Sequence, residues 1–169
     1  MIAADHRYFW NIHCYKLFEE QSISYRWYCP LIQGYVGIVN GKISNRVMQM
    51  ALISRRQHLR GGTRYNGRGI DDRGNVGNSV ETEQMVKLSN LVFSYVLVRG
   101  SVPVFWEQKG LIEEVTLSRN PEMTKRAFHK HFDDLTKTYG DIFIVDLLSD
   151  TKERETILTK EYVRQIYES

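Results

Sequence analysis

The chain has 169 residues, 42% of them hydrophobic, and a formal net charge of +3, enough length and apolar content for one domain with its own core. Three prolines and no low-complexity tract or repeat period exclude a low-complexity chain or a solenoid. No run of about 18 apolar residues could cross a bilayer, and the opening Met1-Ile2-Ala3-Ala4-Asp5-His6-Arg7 leads into an aromatic, polar mixture, so neither a membrane span nor a secretory signal is expected.

In chain order, Phe9, Ile12, His13, Lys16 and Leu17 recur at roughly helical spacing and predict a short helix over His6–Glu20. Leu31 to Val39, broken by Gly34 and Gly37, reads as a strand, and Val47 to Ser54 as its partner, with Asn40-Gly41 as the hairpin turn. From Arg55 to Asn78 the composition shifts to arginine and glycine with few apolar side chains, which predicts a long, structured loop. Strand alternation resumes over Val80–Leu88. Leu91–Val98 and Val102–Trp106 are dense in β-branched and aromatic residues, as strands buried on both faces are. Leu111–Leu117 reads as another short strand.

A helix follows with all its punctuation in place. Asn120 suits the N-cap, Pro121 the first helical position and Gly140 the stop. Between them Met123, Ala127, Phe128, His131, Phe132, Leu135 and Tyr139 form one apolar stripe. Ile142–Leu148 then predicts a buried strand, and Lys160–Tyr167 begins a final helix. The order gives a mixed α/β (α+β) fold with a largely β core and flanking helices.

Chemistry-bearing residues outside the loop carry bland readings. Cys14 and Cys29 show no CxxC or Cys/His ligand spacing and read as two buried or half-buried free thiols in a reducing compartment. His129 and His131 stand two apart on a helix, on nearly opposite faces, so no metal site is expected, and no cofactor. Glu81 and Glu83 share a strand face and read as ion-pair partners, as does Asp133-Asp134.

The loop from Arg60 to Asn78 is different. Its glycines let backbone N–H groups approach an anion closely. Arg60, Arg64 and Arg68 offer bidentate forks to phosphate oxygens, and Asp71 and Asp72 offset part of that charge. Two readings stand side by side: a phosphate- or polyanion-binding loop, or a solvated loop whose arginines pair with carboxylates such as Glu81 and Glu83. Arg60-Gly61-Gly62 resembles an RGG element and Tyr65 could stack on a base, but a single copy between strands does not make a nucleic-acid site, and no nucleic-acid partner is expected.

The segment Arg60-x-Gly62-Thr63-Arg64-Tyr65-Asn66-x-Arg68-Gly69-Ile70-Asp71-Asp72-x-Gly74-Asn75-Val76-x-Asn78, with Val80-Glu81-Thr82-Glu83-Gln84 after it, resembles a motif of the Sac-type phosphoinositide phosphatases. Val98-Arg99-Gly100-Ser101-Val102-Pro103-Val104-Phe105-Trp106-Glu107-Gln108, the opening Phe9-Trp10-Asn11, Lys130-His131-Phe132, Tyr139-Gly140 and Ile144-Val145-x-Leu147-Leu148 continue the likeness in order. The Trp106-Glu107-Gln108 ending and Lys152-Glu153-Arg154-Glu155 lean towards the synaptojanin-like branch.

The resemblance implies hydrolysis of phosphate from inositol lipids, with phosphoinositide headgroups at a cytoplasmic membrane surface as the partner. It implies Arg60, Thr63, Arg64, Arg68 and Asn78 as candidate phosphate-binding residues, with Asp71, Glu81, Glu83 and Arg99 supporting the loop. The family's nucleophile is a cysteine in a C-x5-R-[TS] loop. Here that spacing gives Glu20 after Cys14 and Tyr35 after Cys29, so residues 1–169 read as a central part of such a domain. The amino-terminal subdomain and the catalytic loop, the missing parts of the domain, are its expected partners. Alone it is expected to be inactive; the alternative is a non-catalytic headgroup-binding or interaction module. Gly67, Arg73 and Ser79 stand where the family usually carries a basic, an acidic and an aromatic residue. A slice of this kind is expected to expose sheet edges and to self-associate.

Overall fold

The computed structural model describes residues 5–63, 67–108 and 115–168. They form two compact units. One comprises the chain up to Leu59 together with Ser79–Arg99, the other Arg60–Asn78 together with the chain from Gly100 onward.

The first unit is built on a four-stranded antiparallel sheet in the order β1 (Gln33–Ile43), β2 (Arg46–Arg56), β3 (Val80–Leu88), β4 (Leu91–Arg99). Two-residue turns close its outer hairpins, at Ser44-Asn45 and at Ser89-Asn90, where Leu88 faces Leu91. Ser44 and Asn45 both have positive φ (46° and 66°), the conformation that matches the right-handed twist of the flanking strands. Before the sheet lie short 3-10 turns at His6–Tyr8, Ile12–Tyr15 and Tyr25–Trp27 and a five-residue helix α1 (Lys16–Glu20). Tyr8, Phe9 and Tyr15 are the buried residues of this segment. Tyr15 stacks on Tyr28 at 4.6 Å between centroids and its hydroxyl accepts from the Cys29 N–H at 2.6 Å.

The second unit holds a short antiparallel pair, β5 (Trp106–Gln108) with β6 (Val115–Leu117), and two long helices, α2 (Pro121–Tyr139) and α3 (Glu153–Tyr167). Its core is two apolar clusters. Ile70, Val76, Phe105 and Ala127 make one; Val104, Trp106, Val115 and Leu158 make the other, with Val102 and Leu148 against it. Helix α2 has the predicted ends: Asn120 Oδ1 accepts from the Met123 N–H at 2.9 Å and Gly140 turns the chain out at φ 81°.

Several sequence expectations give way. The hairpin turn lies at Ser44-Asn45 and not at Asn40-Gly41, which sits inside β1 facing Gln49 and Met48. Asn45 supplies the positive φ that Asn-Gly offers, and turning later adds the pairs Gly41–Met48, Lys42–Val47 and Ile43–Arg46 to the ladder. The Asn40 side chain instead accepts from Gln49 Nε2 across the strands at 3.1 Å.

His6–Glu20 is not one helix. Asn11 turns outward to bond the Leu31 N–H (2.8 Å) and the Cys29 carbonyl (3.0 Å), and the Trp10 indole donates to the Arg56 carbonyl; these bonds compete with a helical ladder. Ile142–Leu148 forms no strand, and Phe143 and Leu147 are about 90% exposed. Strand β4 exists, but nearly all its side chains are exposed, so it is not buried on both faces. Val102–Val104 runs as irregular chain into β5. Helix α3 starts at Glu153, a turn or more before Lys160. Cys14 and Cys29 are free but exposed. The first part of the predicted Leu111–Leu117 strand lies outside the described residues.

Candidate functional site

Among its described residues the arginine and glycine segment is partly buried: Gly69, Ile70, Gly74, Val76 and Gly77 are covered, while Gly62, Thr63, Asp72 and Arg73 are exposed. Ile70 and Val76 face each other in a single antiparallel bridge and are each 3% exposed, packed with Phe105 and Ala127. The backbone closes on itself around them. Gly77 N–H donates to the Gly69 carbonyl (2.9 Å), Asn78 N–H to the Arg60 carbonyl (3.2 Å) and Ile70 N–H to the Val104 carbonyl (3.1 Å). Ser101 clamps both arms, its hydroxyl accepting from Gly69 N–H at 2.8 Å and its own N–H donating to the Gly77 carbonyl at 3.0 Å. A Cβ on Gly77 would stand 2.0 Å from the Gly67 carbonyl oxygen, so this approach needs glycine.

Asp71 organises the tip. Its Oδ1 accepts from the N–H groups of Arg73 (2.9 Å) and Asn75 (2.8 Å), an Asx-type turn. Gly74 sits at φ 90°, and its carbonyl accepts from Nδ1 of His131 on α2 at 2.9 Å. Burial holds the His131 pKa below its ordinary value, so the ring is neutral with its proton on the nitrogen facing Gly74.

Beside this scaffold lies a cleft of about 570 Å³ lined by Arg60, Arg68, Ile70, Asp71, Asp72, Phe105, Trp106, Glu107, Gln108, Ser118 and Arg119. Arg60 donates to the Arg68 carbonyl and its Nε is buried with no acceptor among the described residues. Arg68 donates to Gln108 Oε1 at 3.2 Å and lies 5.0 Å over the Trp106 ring. Arg119 lies 4.0 Å over the Phe105 ring and makes a two-point pair with the Asp72 carboxylate. That pairing holds the Asp72 carboxyl below its ordinary pKa. Guanidinium groups held over aromatic faces are pre-oriented for oxyanions.

Arg60 and Arg68 thus come together in one cleft. Thr63 is exposed and uses its carbonyl to accept from Gly67 N–H at 3.0 Å. Asn78, at φ 54°, accepts from Gly62 N–H (3.2 Å) and donates to the Gly67 carbonyl (3.3 Å), bracing the loop with its side chain. Arg64, with Tyr65 and Asn66, lies outside the described residues.

Glu81, Glu83 and Arg99 belong to the first unit. There Glu81, 5% exposed, pairs with Arg55, its register neighbour on β2, and accepts from the Tyr8 hydroxyl at 3.0 Å. Glu83 approaches the same Arg55 at 4.0 Å, and Arg99 is exposed at the end of β4. Arg119 was not singled out by sequence reasoning: it stands far along the chain from the other cleft arginines, with only the flanking Ser118 and Asn120 as context. Among the described residues no group of three potential metal ligands comes together.

Compared with known proteins, residues 2–169 match a family model described as the SacI homology domain. Human synaptojanin-1 is 40% identical over 164 residues, covering 95% of this chain and 10% of that protein. Inositol-1,4,5-trisphosphate 5-phosphatase 1 of Schizosaccharomyces pombe is 41% identical over 126 residues, 73% of this chain and 12% of that protein. Phosphatidylinositol-3-phosphatase SAC1-B of Danio rerio is 32% identical over 168 residues, 96% of this chain and 28% of that protein. The chain therefore spans between about a tenth and a little over a quarter of these relatives.

Proposed function

The chain belongs to the SacI homology domain family, and on that footing we propose that it forms part of a phosphoinositide phosphatase and contributes the cleft that holds an inositol-lipid phosphate. Arg60, Arg64 and Arg68, with Thr63, are the phosphate-binding residues in this reading, and Asn78 and Asp71 brace the loop that carries them. The observation that supports it most is that Arg60 and Arg68 line one cleft and that the described backbone beside them is hydrogen-bonded from both arms. The work is done at the cytoplasmic face of a membrane, peripherally; among the described residues no helix is long and apolar enough to cross one.

A second reading, headgroup binding without hydrolysis, is supported by the cysteines. Neither Cys14 nor Cys29 has an arginine at the C-x5-R position. Both readings expect the 169-residue chain to bind short-chain phosphatidylinositol phosphates without releasing phosphate. Arg68→Ala removes charge-assisted bonds of about 1.5–3 kcal/mol, so it should weaken binding about tenfold or more. Binding that survives both Arg60→Ala and Arg68→Ala at full strength sinks the cleft assignment. Phosphate release by the isolated chain sinks its expected inactivity and the second reading with it.

A further inference from the structure

We propose that Arg119 is a further anion-binding residue of this cleft, and that the Asp72 carboxylate is a built-in competitor which an incoming phosphate displaces from it. The inference rests on the reading of the cleft as a phosphate site and adds a residue and a form of control to it.

Arg119 lines the same cleft as Arg60 and Arg68. It is held by its surroundings: the preceding Ser118 N–H donates to the Phe105 carbonyl at 2.9 Å, and the guanidinium sits over the Phe105 ring. Phe105 and Trp106 are consecutive, so two adjacent rings carry two guanidinium groups into one cleft. Arg60 donates to the Arg68 carbonyl and Arg68 to the Gln108 amide oxygen. Arg119 donates to a carboxylate, Nη1 to Oδ1 and Nη2 to Oδ2. That side-by-side pairing is the one two phosphate oxygens would make with the same fork.

The pair is built to open. The Asp72 side chain is 72% exposed and Arg119 34%, and ion pairs this open to water are weak. The Asp72 backbone does not depend on the pair. Its carbonyl accepts from Lys130 Nζ at 2.8 Å, and the neighbouring turn is fixed by Asp71. The carboxylate can therefore swing into solvent without rearranging the loop, leaving the guanidinium on its ring and facing the cleft. A phosphate dianion, with more charge and more acceptor oxygens than a carboxylate, wins that exchange; a monoanion of carboxylate strength does not.

The test is a double-mutant cycle on the 169-residue chain, titrated with inorganic phosphate and with a short-chain phosphatidylinositol bisphosphate. Asp72→Asn should tighten both by about two- to fivefold. Arg119→Ala should weaken both by about tenfold, and Arg119→Lys by less. In the Arg119→Ala background Asp72→Asn should have no effect. If Asp72→Asn tightens binding equally with Arg119 absent, the carboxylate acts only through the field of the cleft, and displacement is overturned. Should Arg68→Ala abolish binding while both Arg119 substitutions leave it intact, the phosphate site stands and the role of Arg119 falls. Binding unaffected by all of these variants, or absent from wild type and Asp72→Asn alike, removes both.

Discussion

Replacing Glu81 by alanine probes the centre of the first unit. The carboxylate is 6% exposed and joins two elements far apart in sequence: Arg55 on β2 pairs with one oxygen, and the buried Tyr8 hydroxyl donates to the other at 3.0 Å. Glu81→Ala takes that acceptor from a tyrosine only 2% exposed, a loss of about 1–3 kcal/mol. It also leaves the Arg55 guanidinium without its main partner. A fully buried pair broken this way costs about 3–5 kcal/mol, but Arg55 is 31% exposed and Glu83 stands 4.0 Å away, so about 1 kcal/mol is the proper share. The expected total is about 2–4 kcal/mol. Glu81→Gln keeps one acceptor oxygen and should cost about half as much. Native-state hydrogen exchange at the amides of β2 and β3 reads the change in this unit directly. A loss below about 1 kcal/mol for the alanine variant, or equal losses for alanine and glutamine, would refute the reasoning.

Burial keeps His131 neutral and its folded pKa below 6.5, so its contribution is complete above pH 6.5 and is lost as pH falls through that value towards the folded pKa. Thermal midpoints measured between pH 7.5 and 5 should fall for the wild type and fall less for His131→Gln; parallel curves would contradict this. Gly77→Ala puts a methyl group 2.0 Å from the Gly67 oxygen and should destabilise the second unit by about 1–3 kcal/mol, with loss of anion binding; an unchanged midpoint would mean the loop has slack. Phe93 is 56% exposed on the edge strand β4, so the chain should self-associate and Phe93→Lys should shift it towards monomer in sedimentation velocity. Equal sedimentation of the two proteins would count against the sheet edge as the contact.

What the sequence disclosed was decided by local chemistry. Asn120, Pro121 and Gly140 each act within a turn of their own position, and helix α2 begins and ends where they say. The existence of β3 and β4 was equally readable, down to the residues Val80–Leu88. Their burial was not, because an apolar run is the same string whether or not another layer covers it. Leu91–Arg99 is a strand with bare faces, and Ile142–Leu148, as apolar as many strands, pairs with nothing described.

The site shows the same division. Arg60 and Arg68 were visible as a cluster in one segment. Arg119 reaches the cleft only through the pairing of β5 with β6 and the packing of Phe105, long-range facts with no local signature. Likewise Glu81 and Glu83 did show an arginine partner, but it came from strand register and was Arg55.

The segment from Arg60 to Asn78 has a consequence for the order of assembly. It interrupts the connection between β2 and β3, whose last pair is Arg56 with Val80, and it packs in a different unit from both strands. The outer hairpins close over two residues; the middle one must close over residues 57–79, an entropic cost roughly 2 kcal/mol larger for a free chain. The bond from Asn78 N–H to the Arg60 carbonyl and the Asn78 side chain cinch that loop at its neck, so a loop that forms first shortens the closure that joins the two hairpins. Asn78→Ala should then slow refolding of the sheet more than it speeds its unfolding, which stopped-flow refolding and unfolding rates would read.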